Sequence, residues 1–216
     1  MKWKASSNMN NILSKDKKIK IEKEKNIYID NSYDIEIINP VKCNIYFLSI
    51  NKSAKVNIYM QSNDSVVNFY YSTMNKDNNN FELNVYHNAK NTVSHVYNHG
   101  VNLNGNKLSF NINGYIDKES TGSSCNQENM IINVEDGVST ILPKLYIDCY
   151  DSTSSHSAYI GKFKDEEIFY LESRGLSKKK AYKLLIKSFL IPIDSAKKIK
   201  EEYLNKIEKI GGDLFE

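Results

Sequence analysis

A mainly β chain, a β-solenoid followed by a small C-terminal helical domain, is what the residue pattern predicts. Apolar and polar residues alternate in short runs at regular spacing from Ile27 to Cys149, each run bounded by Asn, Ser, Asp, Lys or Gly. Many short strands so spaced build a sandwich, a barrel or a solenoid. The connections are rich in Asn yet hold few of the Asn-Gly and Asp-Gly pairs that turn a tight hairpin; Asn104-Gly105 and Asp136-Gly137 are the main exceptions. That scarcity favours strands stacked in parallel coils over an up-and-down meander, with a sandwich as the alternative. Finally, the apolar period changes from 2 to that of a helix at Asp165.

Taken in order, residues 1–25 are polar and lysine-rich, with Ile12, Leu13, Ile19 and Ile21 too sparse to define a face. They read as a loosely ordered lead-in. Residues 26–162 form the solenoid core, with strands expected around Ile27–Ile29, Ile35–Ile37, Ile45–Leu48, Val56–Met60, Val66–Tyr70, Phe81–Tyr86, Val93–Tyr97, Leu108–Ile112, Met130–Val134 and Leu145–Cys149. No single coil could bury such a ladder of β-branched and aromatic residues, but neighbouring coils cover it. Pro143 opens the last of these strands, where Leu145, Ile147 and Cys149 alternate with polar residues, and Ser152–Ser157 reads as a turn. Residues 163–216 form the helical domain. A first helix starts at Asp165 with three acidic residues, Asp165, Glu166 and Glu167, in its first turn and ends at Arg174-Gly175. Ser177 caps a second, whose Ala181, Leu184, Leu185, Ser188 and Phe189 share a face until Pro192 stops it. Asp194 or Ser195 caps a third, with Ala196, Ile199, Tyr203, Ile207 and Ile210 on one face and Gly211-Gly212 at its end.

Composition excludes more than it selects. A formal net charge of +3, from 29 basic and 26 acidic residues, does not suggest a nucleic-acid partner. No stretch approaches the ~18 consecutive apolar residues of a membrane span, and the lysine-rich start lacks the apolar run of a secretory signal. Three widely spaced cysteines, Cys43, Cys125 and Cys149, give neither a disulfide framework nor a zinc spacing, so a reducing, cytoplasmic setting is expected. There is no phosphate-binding loop and no nucleophile elbow. His95 and His99 would share a helix face, but their run reads as strand.

Residues 143–190 carry a family resemblance. SSHSAYIGKFKDEEIFYLESRGLSKKKAYKLLIKSFL resembles the C-terminal signature of the SufB/SufD family of iron-sulfur cluster assembly proteins: a Ser-His turn running to Gly161, an Asp-Glu helix with Phe169-Tyr170-Leu171 and Ser173-Arg174-Gly175, and an Ala-x-x-Leu-Leu helix. The likeness continues upstream through Gly114–Asp117, Gln127–Asn129 and the strand at Pro143. It implies a right-handed parallel β-helix, a SufB-like scaffold partner (or a second copy), and a SufC-like ABC ATPase docked on the C-terminal helices. Relatives usually have a helical N-terminal domain, for which this chain leaves no room. Gly137 stands six residues before Pro143, where SufB-type chains carry cysteine, and Ser157 follows the histidine where SufB often has glutamate; the chain is SufD-like.

His156 is the residue whose setting suggests a site. Among small hydroxyl residues at the end of a coil, a neutral imidazole can reach a metal or a partner chain, or it can simply hydrogen-bond at the surface. The resemblance places the matching histidine at the contact with SufB, so His156 is expected to meet iron, or an iron-sulfur cluster held transiently, at that interface; a lone imidazole does not hold a cluster by itself. Cys149 alternates into the strand interior, so burial is the better reading than iron ligation, and Cys43 and Cys125 read as structural. Glu128 reads as a hydrogen-bonding group between coils. For ATPase docking the resemblance and the helical pattern single out Phe169, Tyr170, Leu171, Arg174, Leu184 and Leu185; Arg174 is the chain's single arginine, and only it offers a planar, bidentate fork. The expected role is a non-catalytic scaffold. A β-solenoid carbohydrate-active enzyme or adhesin, suggested by the Asn-rich coils, and a degenerate paralogue that binds partners without supporting assembly are the alternatives.

Overall fold

A computed structural model describes residues 18–103, 105–134, 136–193 and 195–211. Twelve strands precede three helices among them: β1 (Lys18–Ile21), β2 (Lys25–Ile29), β3 (Tyr33–Ile37), β4 (Lys42–Ile50), β5 (Ala54–Met60), β6 (Val66–Asn75), β7 (Asn79–His87), β8 (Val93–Asn102), β9 (Lys107–Ile116), β10 (Ser123–Asn133), β11 (Val138–Ile147), β12 (Ser152–Gly161), α1 (Asp165–Ser173), α2 (Lys178–Leu190) and α3 (Lys197–Gly211). Odd-numbered strands stack in sequence order as one parallel sheet and even-numbered strands as the other. Each coil contributes a strand to both, giving a parallel β-solenoid.

The register is exact from coil to coil, so equivalent side chains form columns. On the even sheet one inner column runs Ile27, Ile45, Phe69, Val96, Gln127, His156. The odd sheet's column Ile35, Ile58, Val85, Gly114, Leu145 also runs along the interior. Inner-facing apolar side chains of both sheets form the main core. Outer columns explain the Asn and Tyr content. Asn57 donates to Asp34, Asn84 to Asn57 and Asn113 to Asn84, at 2.7, 2.8 and 2.8 Å. Tyr59, Tyr86, Tyr115 and Tyr146 stack with centroids 4.9, 4.7 and 4.8 Å apart. Ladder partners lie 18 and 24 residues apart in the early coils and 29 and 31 in the late ones, so the coil lengthens along the chain.

The tail does not stand apart from the solenoid. Ile186 and Leu190 of α2 and Ile199, Tyr203 and Ile207 of α3 pack on Tyr46, Leu48, Met74 and Val101, the outer face of the even sheet. Ser72 donates to the Leu190 carbonyl at 2.6 Å, and Lys206 donates to Tyr28 in the second strand at 2.6 Å. Ser72 and His99 of the solenoid thus meet carbonyls, those of Leu190 and Phe189, that the end of α2 leaves open.

Several expectations are corrected. The solenoid begins at Lys18, inside the expected lead-in: Ile19 and Ile21 are too few to show a period, but they sit beside Ile35 and Ile37 of the next coil. Residues 1–17 lie outside the described residues. Ser152–Ser157 is no turn but the first part of β12, paired along its length with β10. Pro143 lies within β11 rather than opening it, tolerated because β11 is the edge strand of the odd sheet. The α2 face is split: Ala181, Ile186 and Leu190 are buried, while Leu184 is exposed, because the helix meets the sheet on one side and α1 on another. Ser195 donates its hydroxyl to Pro192 instead of capping α3; Asp194 and Gly212 are outside the described residues. The α1 terminus is as expected, with Gly175 at φ 86° and the Gly175 and Leu176 amides bonded to the Glu172 and Leu171 carbonyls, a Schellman motif.

Candidate functional site at the last coil

The last coil is uncapped. Among the described residues β11 pairs only with β9 and β12 only with β10, so each presents a free edge of backbone donors and acceptors. Inward-facing positions that neighbouring coils would cover stay open: Ile147 is 41% and Ile160 42% exposed. Outward-facing Val138, Leu142, Tyr146 and Tyr159 are exposed beside them. A solenoid end of this kind needs a cover, because its apolar rows and edge bonds stop in water.

His156 sits in this edge strand, exposed, at the end of the inner column. It is therefore held by a sheet, not by a loop. Neighbouring Ser155 and Ser157 lie in the opposite, outward rows with Asn126 and Glu128. Ser155 donates to Asn126 at 2.9 Å, pinning β12 to the coil below. Glu128 lies 3.4 Å from His99 Nε2 on β8, a contact between coils as expected. No group of three or more His, Cys, Asp or Glu side chains able to hold a metal occurs among the described residues, so His156 has no protein co-ligands there.

The cysteines are core residues. Burial pushes the Cys43 thiol up to about 12 and raises that of Cys125, which keeps them away from the thiolate form that binds metal. Cys149 is buried with Cys125 and Ile116, just beyond β11.

The tail residues gather at a second place. Tyr170, Leu171, Leu184 and Leu185 line a groove of about 560 Å³ between α1 and α2, with Glu166 and Glu167 at its margin. Phe169 is 73% exposed beside it. The Arg174 guanidinium lies over the Tyr170 ring, 5.3 Å from its centroid, so it stiffens this surface by a cation–π contact. His156 does not line the groove.

Sequence reasoning missed Gln127 as a site residue. It is 4% exposed in a column otherwise apolar up to that coil. The signal lay in spacing: residues in adjacent strands of this coil, such as Cys125 and Ser154, are 29 apart, and the same step carries Gln127 onto His156.

Fold and site together define a β-solenoid protein whose open coil end and helical groove are both exposed surfaces. The chain matches the SUF system FeS cluster assembly SufBD core domain over residues 41–189. It belongs to the SufBD family. It is 52% identical over 56 residues to an iron-sulfur cluster assembly SufBD family protein of Pyrococcus horikoshii, covering 26% of this chain and 12% of the relative. It is 33% identical over 85 residues to the iron-sulfur cluster assembly protein SufD of Bacillus subtilis, covering 39% and 20%. With Escherichia coli SufD the identity is 35% over 68 residues, covering 30% and 16%. The matched stretches thus span at most a fifth of these relatives' own lengths. The description of the matched domain and the names of these relatives tie the family to iron-sulfur cluster assembly.

Proposed function

We propose that this chain is a non-catalytic, cytoplasmic scaffold subunit of a Suf-type assembly complex. Its last coil pairs with a SufB-like β-solenoid, and the α1–α2 groove docks a SufC-like ABC ATPase. The uncapped coil carries the reading: two free strand edges and the exposed Ile147 and Ile160 match what the end of another solenoid would cover. His156, in the edge strand, would then stand at the joint, where a neutral imidazole can contact iron in transit while the partner supplies the remaining ligands. ATP-driven closure would act on the joint only through contacts that differ between the open and closed ATPase. The Asn content that suggested a carbohydrate surface is taken up by ladders between coils.

Co-expression with the SufB-like and SufC-like proteins of the same organism tests this. Ile147→Glu with Ile160→Lys should release the scaffold partner, and Leu184→Glu should release the ATPase alone. His156→Ala should leave both bound and lower cluster yield. If neither partner co-purifies with the unaltered chain, or if the chain pairs only with itself, the reading fails.

A further inference from the structure

Gln127 interrupts an apolar column where it has no packing reason to do so. Ile27, Ile45, Phe69 and Val96 precede it, and His156 follows on the edge strand. Its side chain reaches across the solenoid interior. Nε2 lies 3.5 Å from the Lys144 carbonyl on the opposite sheet and 3.9 Å from Cys125 Sγ. Gly114 leaves it that path, since a Cβ there would stand 3.1 Å from Gln127 Nε2 and 2.6 Å from Cys125 Sγ. The Lys144 carbonyl also fixes which way the amide is turned, because an oxygen facing it would be repelled.

That orientation leaves Oε1 buried with no hydrogen-bond partner. A buried amide oxygen without a donor bears its desolvation penalty uncompensated, and native chains rarely leave such a group idle. Register partners in a parallel sheet leave the backbone in the same direction, about 4.8 Å apart. His156 is the register partner of Gln127, so its side chain leaves the sheet on the same side.

We propose that Gln127 is a positioning residue for His156: Oε1 accepts one ring N–H, fixes the ring's tautomer and orientation, and turns the other nitrogen toward the partner. Histidines that contact metals commonly have their second nitrogen held by a carbonyl or carboxylate. Here the holder would be a core amide anchored on both sheets, so the ring's aim is set by the solenoid itself. The inference rests on the reading of His156 as a group that works at the joint.

The test needs neither iron nor partner. Long-range proton–nitrogen NMR of the full chain, with His156 assigned by its absence in His156→Ala, reads the ring's tautomer population and ring order. The wild type should show one dominant tautomer and an ordered ring. Gln127→Met, which keeps volume and loses the acceptor, should give mixed tautomers and a ring as mobile as that of a free histidine, with His87, His95 and His99 unchanged. Gln127→Glu, which restores an oxygen, should recover ring order. A wild-type His156 ring already as mobile as free histidine overturns the proposal whether or not the variants fold, and so does a Met variant that folds and keeps the wild-type tautomer. Failure of the assembly reading shows elsewhere, as unchanged cluster yield in His156→Ala.

Discussion

His87 lies fully buried between two hydroxyls, Nδ1 2.8 Å from Thr92 Oγ1 and Nε2 2.8 Å from Ser94 Oγ. Burial depresses its pKa to about 4, a hydrogen bond with Thr92 opposing slightly. In the unfolded chain the imidazole titrates near 6.5. The contribution is therefore whole above about pH 6.5 and is lost as pH falls toward 4, since the unfolded chain binds the proton first. Urea midpoints should fall by the equivalent of about 2 kcal/mol between pH 7 and pH 5, and His87→Gln should flatten that slope. Gly114→Ala should cost about 1–3 kcal/mol by overpacking against Cys125 and Leu145, read as a lower thermal midpoint. His156 could be singled out in the sequence because it stands alone among small hydroxyls. Gln127 could not, because its meaning appears only when coils are laid in register.

At the scale of elements, repetition made the strands visible and also hid the first and last of them. A run such as Ile27–Ile29 shows its period on its own. Lys18–Ile21 is too short to show one, and Ser152–Gly161 holds residues too small and polar to mark an inner face, because its inner face is not covered. Both are strands by virtue of the neighbour they pair with. The same logic governs the ladders. Asn84 is buried, donates to Asn57 and accepts from Asn113. Asn84→Ala should cost about 1–3 kcal/mol, because two neighbours lose a partner at once. Denaturant titration would show it, and a loss no larger than that of an exposed Asn would reject the ladder as a source of stability. The first two helices were legible through Gly175 and Ser177, but the face of α2 was not: a helix wedged between a sheet and another helix spreads apolar residues over two sides.

At the scale of the molecule, the solenoid and the tail form one body with a shared apolar layer. Cutting the chain after Gly161 would bare Tyr46, Leu48, Met74 and Val101, adding to the apolar surface already open at the last coil. Such a truncation should lose soluble yield and bind a hydrophobic dye, while Leu184→Glu should not; equal behaviour of the two would mean the tail adds nothing to the core. The lengthening coils carry a consequence for how the protein is made. A short coil closes at less entropic cost than a long one, so on the ribosome the narrow early turns can form first and serve as templates for the wider ones. The bond from Lys206 back to Tyr28 spans 178 residues. The first turns therefore wait, with one face bare, until the third helix emerges to cover them, and this interval is when a chaperone would be most useful to the nascent chain.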